Sequence, residues 1–347
     1  MRVTKTSRKT KLVRGRRGRS TRSKLRPLPE TMRAVAIDRF GGPEVLTVHE
    51  LPVPELDPNE VLIAVHTAGV GGWDADIRDG WSPGGPIRFP LVLGTDGSGT
   101  IAQVGSRVRR FKVDDRVYGY VWNNPKGGFY AEYVAVHMDN TARFPDPPLD
   151  LKHAGAVPVT GLTALQGIGD HLDVQTGEYV MIHGASGAVG TLAIQFAKER
   201  GAKVMAVASG RDGVALAERL GADLAVDGHH DDFVEAAFAF APKGVDAVLV
   251  LGSGDSVLRC LDVLRPGGRL AYPNGVEPEI EKRRGLKVIA YDAKAGVREF
   301  EKLNTAIKKA HLKVPIAAEF PLEEAGKAHQ RIQQGHVLGK IILRIRE

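Results

Sequence analysis

The residues best placed to do chemistry are the glycines of Gly184-Ala185-Ser186-Gly187-Ala188-Val189-Gly190. A short strand-like run, Tyr179–His183, precedes them, and a helix-like run, Thr191–Arg200, follows. Strand, glycine loop and helix in that order build a phosphate cradle. Gly187 lets backbone approach a pyrophosphate with no Cβ in the way, and Gly190 lets the new helix pack closely on its strand. The helix N-terminus then offers unpaired N–H groups and partial positive charge to the anion. A second strand-like run, Lys203–Ala208, follows at the spacing of a βαβ unit.

The end of that second strand bears on which dinucleotide is held. NAD-binding units place an Asp or Glu about 20 residues beyond the loop, to bind the ribose 2′-hydroxyl. Here that place holds Ser209, followed by Gly210 and Arg211. A carboxylate would repel a 2′-phosphate, whereas a hydroxyl and a guanidinium would hold one. The charge balance favours NADPH. Asp212 next door, if turned inward, would favour NADH.

These elements sit in a chain of 347 residues, long enough for two domains and a large core. No apolar run approaches the ~20 residues of a membrane span. The single Cys260 cannot form an internal disulfide, which suits a reducing, cytoplasmic setting. It falls in Ser256–Leu264 on one helical face with Val257, Leu261 and Leu264, and so reads as core. The net charge is +7, but residues 1–31 carry twelve Lys and Arg against one Glu, which leaves −4 for the rest. Nucleic-acid binding is therefore not expected of the body. The tail lacks an apolar period and should be disordered. It reads as sequence upstream of a start at Met32, as a solvated basic arm, or as an organelle transit segment.

From Met32 to about Pro148 the apolar runs are short and strand-like: Ala34–Ile37, Val45–Val48, Val61–Val65, Thr100–Val104, Val117–Val121 and Tyr130–Val136. Gly, Pro and Asp separate them, as in a β-barrel or sandwich. From about Ala154 strands are expected at 179–183, 203–208, 223–227, 245–250, 268–272 and 286–291, with helices between most of them, as at Val214–Leu220 and Phe233–Ala241. That alternation implies a doubly wound parallel sheet. A charged amphipathic stretch, a helix at Leu322–Gln334 and a strand at Lys340–Ile345 close the chain. The expected division is a tail (1–31), a β-rich catalytic domain (32–153), a dinucleotide domain (154–295) and a return to the catalytic domain (296–347).

From Met32 onward the chain resembles the medium-chain dehydrogenase/reductase superfamily, in particular its zinc-free quinone oxidoreductase (ζ-crystallin-like) group. The resemblance rests on eight stretches in order: Phe40–Leu46, Asp74–Gly80, Gly94–Gly99, Asp115–Val117, Gly128–Tyr133, Thr160–Ala164, His183–Gly190 and Gly335–Leu343. It implies an α/β protein, with a GroES-like β-rich catalytic domain, a Rossmann domain and a cleft between them. It sets Gly71, Thr95 and Val159 where zinc-dependent relatives carry three metal ligands, and none of these side chains binds zinc. Without a Lewis acid, oxyanion stabilisation falls by several kcal/mol. Quinones and enones, whose conjugation spreads charge, become the expected substrates.

The resemblance further implies that Thr163 faces the nicotinamide and that Leu251-Gly252 and Asn274-Gly275 border its ring. Related quinone reductases carry an Asn and an aromatic where this chain has Gly71 and Asp76. Asp76 is a candidate proton donor, and Trp73, Trp81 and Trp122 are candidate walls. His183 reads as structural, and His229-His230 as solvated. The resemblance implies a homodimer joined through edge strands, with Arg269–Tyr272 as the candidate edge. A cofactor-binding protein with little turnover, serving a structural, redox-sensing or RNA-binding role, is the alternative reading.

Overall fold

The computed structural model describes residues 27–81, 84, 87–122 and 124–346. Most of the basic tail therefore lies outside the described residues.

The first half is antiparallel. Strands β1 (Thr31–Ile37), β2 (Thr47–Pro52), β3 (Glu60–Val70), β4 (Leu91–Val92), β5 (Asp96–Val104), β6 (Arg116–Tyr120), β7 (Tyr133–His137) and β8 (Thr141–Ala142) appear here with one helix, α1 (Gly72–Asp79). The small sheet runs β2-β1-β4. The long β3 is the hub of the larger one, pairing with both β5 and β7. Glycine is demanded where backbones crowd: a Cβ on Gly99 of β5 would lie 2.1 Å from the Ala64 carbonyl of β3. Two expected strands begin later than their apolar runs. Residues Pro43–Val45 form a 3-10 turn before β2. Phe129–Ala131 bend into the core, where Tyr130 N–H donates to the Leu93 carbonyl at 2.9 Å.

The second half alternates strand and helix. Helices α2 (Leu151–Ala154) and α3 (Pro158–Gln166) lead into β9 (Tyr179–His183), α4 (Ala188–Glu199), β10 (Lys203–Ala208), α5 (Gly210–Arg219), β11 (Leu224–Asp227), α6 (Phe233–Phe240), β12 (Val245–Val250), α7 (Ser256–Arg259), β13 (Leu264–Pro273) and β14 (Lys287–Tyr291). The six strands form a parallel sheet in the order β11-β10-β9-β12-β13-β14. The order reverses between β9 and β12, and that switch point is where a doubly wound sheet opens its ligand crevice. On one face α3 and α4 bury Leu162, Ile194 and Phe196, and on the other Phe233, Val257 and Leu261 form a second core. Burying Phe196 alone contributes about 2–3 kcal/mol.

Helix α8 (Val297–Ala310), strand β15 (Ile316–Pro321), helix α9 (Ala325–Gln333) and strand β16 (Lys340–Arg344) return to the first half. There β16 pairs with β3 and extends the large sheet to β15. The fold is thus a GroES-like β-rich domain joined to a doubly wound Rossmann sheet, as expected.

Two expectations fail. Arg269–Tyr272 is not an edge, because β13 lies between β12 and β14, and the outermost strand on that side is β14. The helix expected over Ser256–Leu264 ends at Arg259, because Leu264 is already in β13. Cys260 is nonetheless fully buried, and burial pushes its thiol up to about 12, so it is core and not a nucleophile.

Candidate functional site

The glycine loop joins β9 to α4, with Gly187 as the N-cap residue of α4. Gly190 admits no side chain: a Cβ there would lie 2.4 Å from the Gly184 carbonyl oxygen and 2.6 Å from Ala185 Cα. At Gly187 the nearest atom to such a Cβ is the Gly184 oxygen at 3.5 Å, so the space before the helix end is open. This is a cradle that a Cβ would fill, and the residues fit a pyrophosphate. Ala185 and Ser186 are buried beneath it, while Ala188 and Val189 are half-buried.

The C-terminal segment lies across this loop. Gly339 forms a parallel bridge with Gly187, and its N–H donates to the Ser186 carbonyl at 2.9 Å. Three residues earlier, His336 reaches the end of β10, where its Nδ1 is 2.9 Å from Ser209 Oγ and its Nε2 is 3.0 Å from Asp212 Oδ2. Asp212 therefore turns toward His336, which holds its carboxyl below the usual range. Ser209 Oγ also meets His229 Nε2 at 3.0 Å, so His229, although exposed, is held in place. Gly210 N–H donates to Asp227 Oδ1 at 3.1 Å, which keeps that carboxylate on the backbone. Arg211 is exposed, and no hydrogen bond or ion pair among the described residues holds it. His229, His336 and Asp227 are the neighbours that spacing along the chain did not reveal.

Thr163 is buried in α3, and its hydroxyl donates to the Val159 carbonyl at 2.8 Å. Leu251-Gly252 follow β12 and Asn274-Gly275 follow β13, so both lie at the carboxyl ends of parallel strands. Asn274 donates from Nδ2 to Asp292 at 2.8 Å. His183, at the end of β9, pairs with Ser256 Oγ at 3.0 Å, and burial pushes its pKa down to about 4. It is a neutral core residue.

Hydrogen bonds run from the positions of the metal-ligand pattern to their neighbours. Trp73 Nε1–H donates to Thr95 Oγ1 at 2.6 Å, and Val159 N–H donates to Asp96 Oδ2 at 2.9 Å. The Trp73 ring occupies the space beside Gly71, where a Cβ would sit 2.3 Å from the indole. Gly71 and Val159 offer no donor side chain, and the Thr95 hydroxyl already receives the indole. The donor set does not fit zinc. Among the described residues, no group of three or more His, Cys, Asp or Glu is arranged to hold a metal ion.

Beneath Trp73 lies buried charge. Lys340 is 3% exposed, with Nζ 4.8 Å from the indole centre and 3.8 Å from Asp96 Oδ1. Asp96 is fully buried, and desolvation raises its pKa against the pull of Lys340. Asp74 is also fully buried, and its Oδ2 accepts from Gly71 N–H at 2.8 Å. Desolvation pushes Asp74 up to about 7, against that hydrogen bond and Lys340. Asp76, two residues on, points away from this cluster on the exposed side of α1. Its pKa is also raised, first by partial burial and then by Asp79. Trp81 and Trp122 are exposed, with rings 6.0 Å apart edge to face, and Tyr120 stacks on Trp122.

The likeness to known proteins runs the length of this arrangement. A family model described as "Alcohol dehydrogenase GroES-like domain" matches residues 57–146, and one described as "Zinc-binding dehydrogenase" matches 220–343. Quinone oxidoreductase of Mus musculus is 31% identical over 327 residues, spanning 90% of this chain and 97% of that protein. The chain belongs to the quinone oxidoreductase group of medium-chain dehydrogenases/reductases.

Solved structures share this fold. A structure named NAD-dependent alcohol dehydrogenase is 32% identical with a TM-score of 0.83, over 91% of this chain and all of that one. A mycobacterial protein in complex with NADPH is 26% identical with a TM-score of 0.81, over 90% of this chain and all of that one. This quinone oxidoreductase relative is therefore an NAD(P)-dependent oxidoreductase with a nucleotide-binding domain. No helix among its described residues is long and apolar enough to cross a membrane.

Proposed function

We propose that the protein is a zinc-independent, NADPH-dependent reductase of quinones or other α,β-unsaturated carbonyls, acting in the cytoplasm as a homodimer. The reading rests above all on Gly71, Trp73 and Thr95, where a ring fills the place of a ligand close to a dinucleotide cradle. With no Lewis acid to carry an oxyanion, substrates that delocalise the charge need the least help. The cradle supplies positioning, and the substrate's own conjugation supplies the sink. Bound NADPH would supply hydride. Ala185–Gly190 would hold its pyrophosphate, Ser209, Gly210 and Arg211 its 2′-phosphate, and Thr163, Leu251-Gly252 and Asn274-Gly275 would border its ring. Trp73 is the wall nearest the reacting atoms. The free guanidinium of Arg211 supports NADPH, even though one relative is named for NAD. The open edge β14 supports dimerisation, since an unpaired edge strand invites a partner.

The test is a panel of a quinone, an enone, an enoyl thioester and an aldehyde, followed by NADPH oxidation with and without a chelator. Turnover of the first two, unchanged by chelation and with no stoichiometric zinc in the protein, is the expected result. NADPH binding without turnover across the panel would support the non-catalytic alternative.

A further inference from the structure

Asp74 is an acid with half of its hydrogen bonding unmet. Its Oδ2 is fixed by the Gly71 N–H, whereas its Oδ1 is buried without a hydrogen-bond partner. An orphaned buried oxygen is costly unless a ligand or water completes it. The carboxyl lines a cavity of about 340 Å³ whose walls include Ile77, Val92, Leu93 and Val121. Thr95 also lines it, and the Thr95 hydroxyl is spent on the Trp73 indole. Asp74 is therefore an acid on the wall of a largely apolar chamber that Thr95 shares, hydrogen-bonded to Gly71 beside it. The volume lies at the low end of ligand pockets, enough for a monocyclic quinone or enone.

We propose that this cavity takes the carbonyl end of the substrate, and that Asp74 hydrogen-bonds the carbonyl oxygen through Oδ1 and gives it a proton. The inference rests on the reductase reading above. The proton belongs on Oδ1 because Oδ2 must stay an acceptor for Gly71. As hydride forms a C–H bond at the acceptor carbon, the π pair moves to the carbonyl oxygen. The Asp74 O–H bond then breaks, a new O–H bond forms on the substrate, and Asp74 is left as carboxylate to be reprotonated from water. The groups facing it are Asp96 from β5, Lys340 from β16, the backbone of Gly94 and the Tyr130 hydroxyl, which Arg78 faces in turn. Desolvation, with a smaller push from Asp96, raises the acid to about 7 against the Gly71 hydrogen bond and Lys340, so a share of it carries its proton near neutral pH.

The decisive variant is Asp74→Asn, which keeps the volume and an acceptor for Gly71 but carries no acid. NADPH affinity, read by fluorescence titration, should match wild type. Turnover of cyclohex-2-enone should fall by roughly 10²-fold or more. The decline of wild-type activity as pH rises past about 7 should vanish in the variant. Val121→Trp, which fills the cavity, should raise KM for the enone and leave NADPH affinity intact. Turnover by Asp74→Asn within threefold of wild type, with the alkaline decline retained, would overturn the inference while the reductase reading stands. A wild-type protein inert on every quinone and enone would sink both.

Discussion

The indole of Trp73 lies against the bare Cα of Gly71, closer than any side chain on that glycine could tolerate. Residues 71 and 73 are thus alternatives for one volume. Gly71→Cys alone should cost about 1–3 kcal/mol by overpacking. In a Gly71→Cys, Trp73→Ala double variant much of that cost should disappear. Urea denaturation of the four proteins of the cycle gives the coupling, and strict additivity would show that the two residues do not compete.

The two loop glycines should behave differently. Gly190→Val drives a side chain into Gly184 and Ala185 backbone and should lower the yield of folded protein. Gly187→Ala meets only ordinary contact, so it should fold with an unchanged melting temperature. Its methyl would occupy the anion's approach, and NADPH affinity should drop about tenfold or more. Undiminished affinity would mean that the pyrophosphate binds elsewhere.

At the end of β10, Arg211→Ala should weaken NADPH binding roughly tenfold and leave NADH unchanged, the loss expected for one charge-assisted contact. Ser209→Asp should reverse the preference by setting a carboxylate against the 2′-phosphate. Parallel titrations with adenosine 2′,5′-bisphosphate and AMP isolate the contact from the rest of the cofactor. Equal losses for both nucleotides would refute the assignment.

Stability should fall toward acid for an identifiable reason. Burial, reinforced by Arg78, pushes His329 down to about 3, and burial pushes His183 down to about 4. Both are neutral in the fold, and the unfolded chain binds their protons first as pH drops below about 6.5. Their contribution is intact above that pH and is lost between about 6.5 and 3. Asp74 works in the opposite sense. Its raised pKa makes the folded state the better proton binder, so stability is lost as pH climbs from about 4 to about 7. Melting temperature against pH should show a shallower acid decline in His183→Gln, and Asp74→Asn should lose least between pH 4 and 7. Identical slopes in wild type and both variants would contradict the burial argument.

Strands β9, β10 and β12 coincide with their apolar runs to the residue, because a parallel strand covered on both faces must be apolar throughout. The antiparallel half was harder to read. There an apolar run such as Tyr130–Val136 mixes residues that pair with residues that merely plunge into the core. The glycine cradle was legible because its chemistry is local. The acid was not: Asp74 and Asp76 differ by about 200° around one helix. Only the tertiary placement of α1, which packs on α9 through Arg78 and His329, decides which is buried. Lys340 and His336 were equally hidden, since their partners Asp96 and Ser209 lie more than a hundred residues away in the chain.

The bridge between Gly187 and Gly339 has a consequence for biosynthesis. Chains fold as they emerge, N-terminal part first. The cradle at Gly184–Gly190 leaves the ribosome long before the segment that lies across it. The same late segment supplies β16, so Thr67–Val70 of β3 must wait for that partner although Glu60–Ala64 already pair with β7. Both the nucleotide site and the large sheet are therefore completed only once Gly339 and β16 have emerged. A chain stopped before His336 would present an open cradle and a half-bare β3 to the cell's quality control.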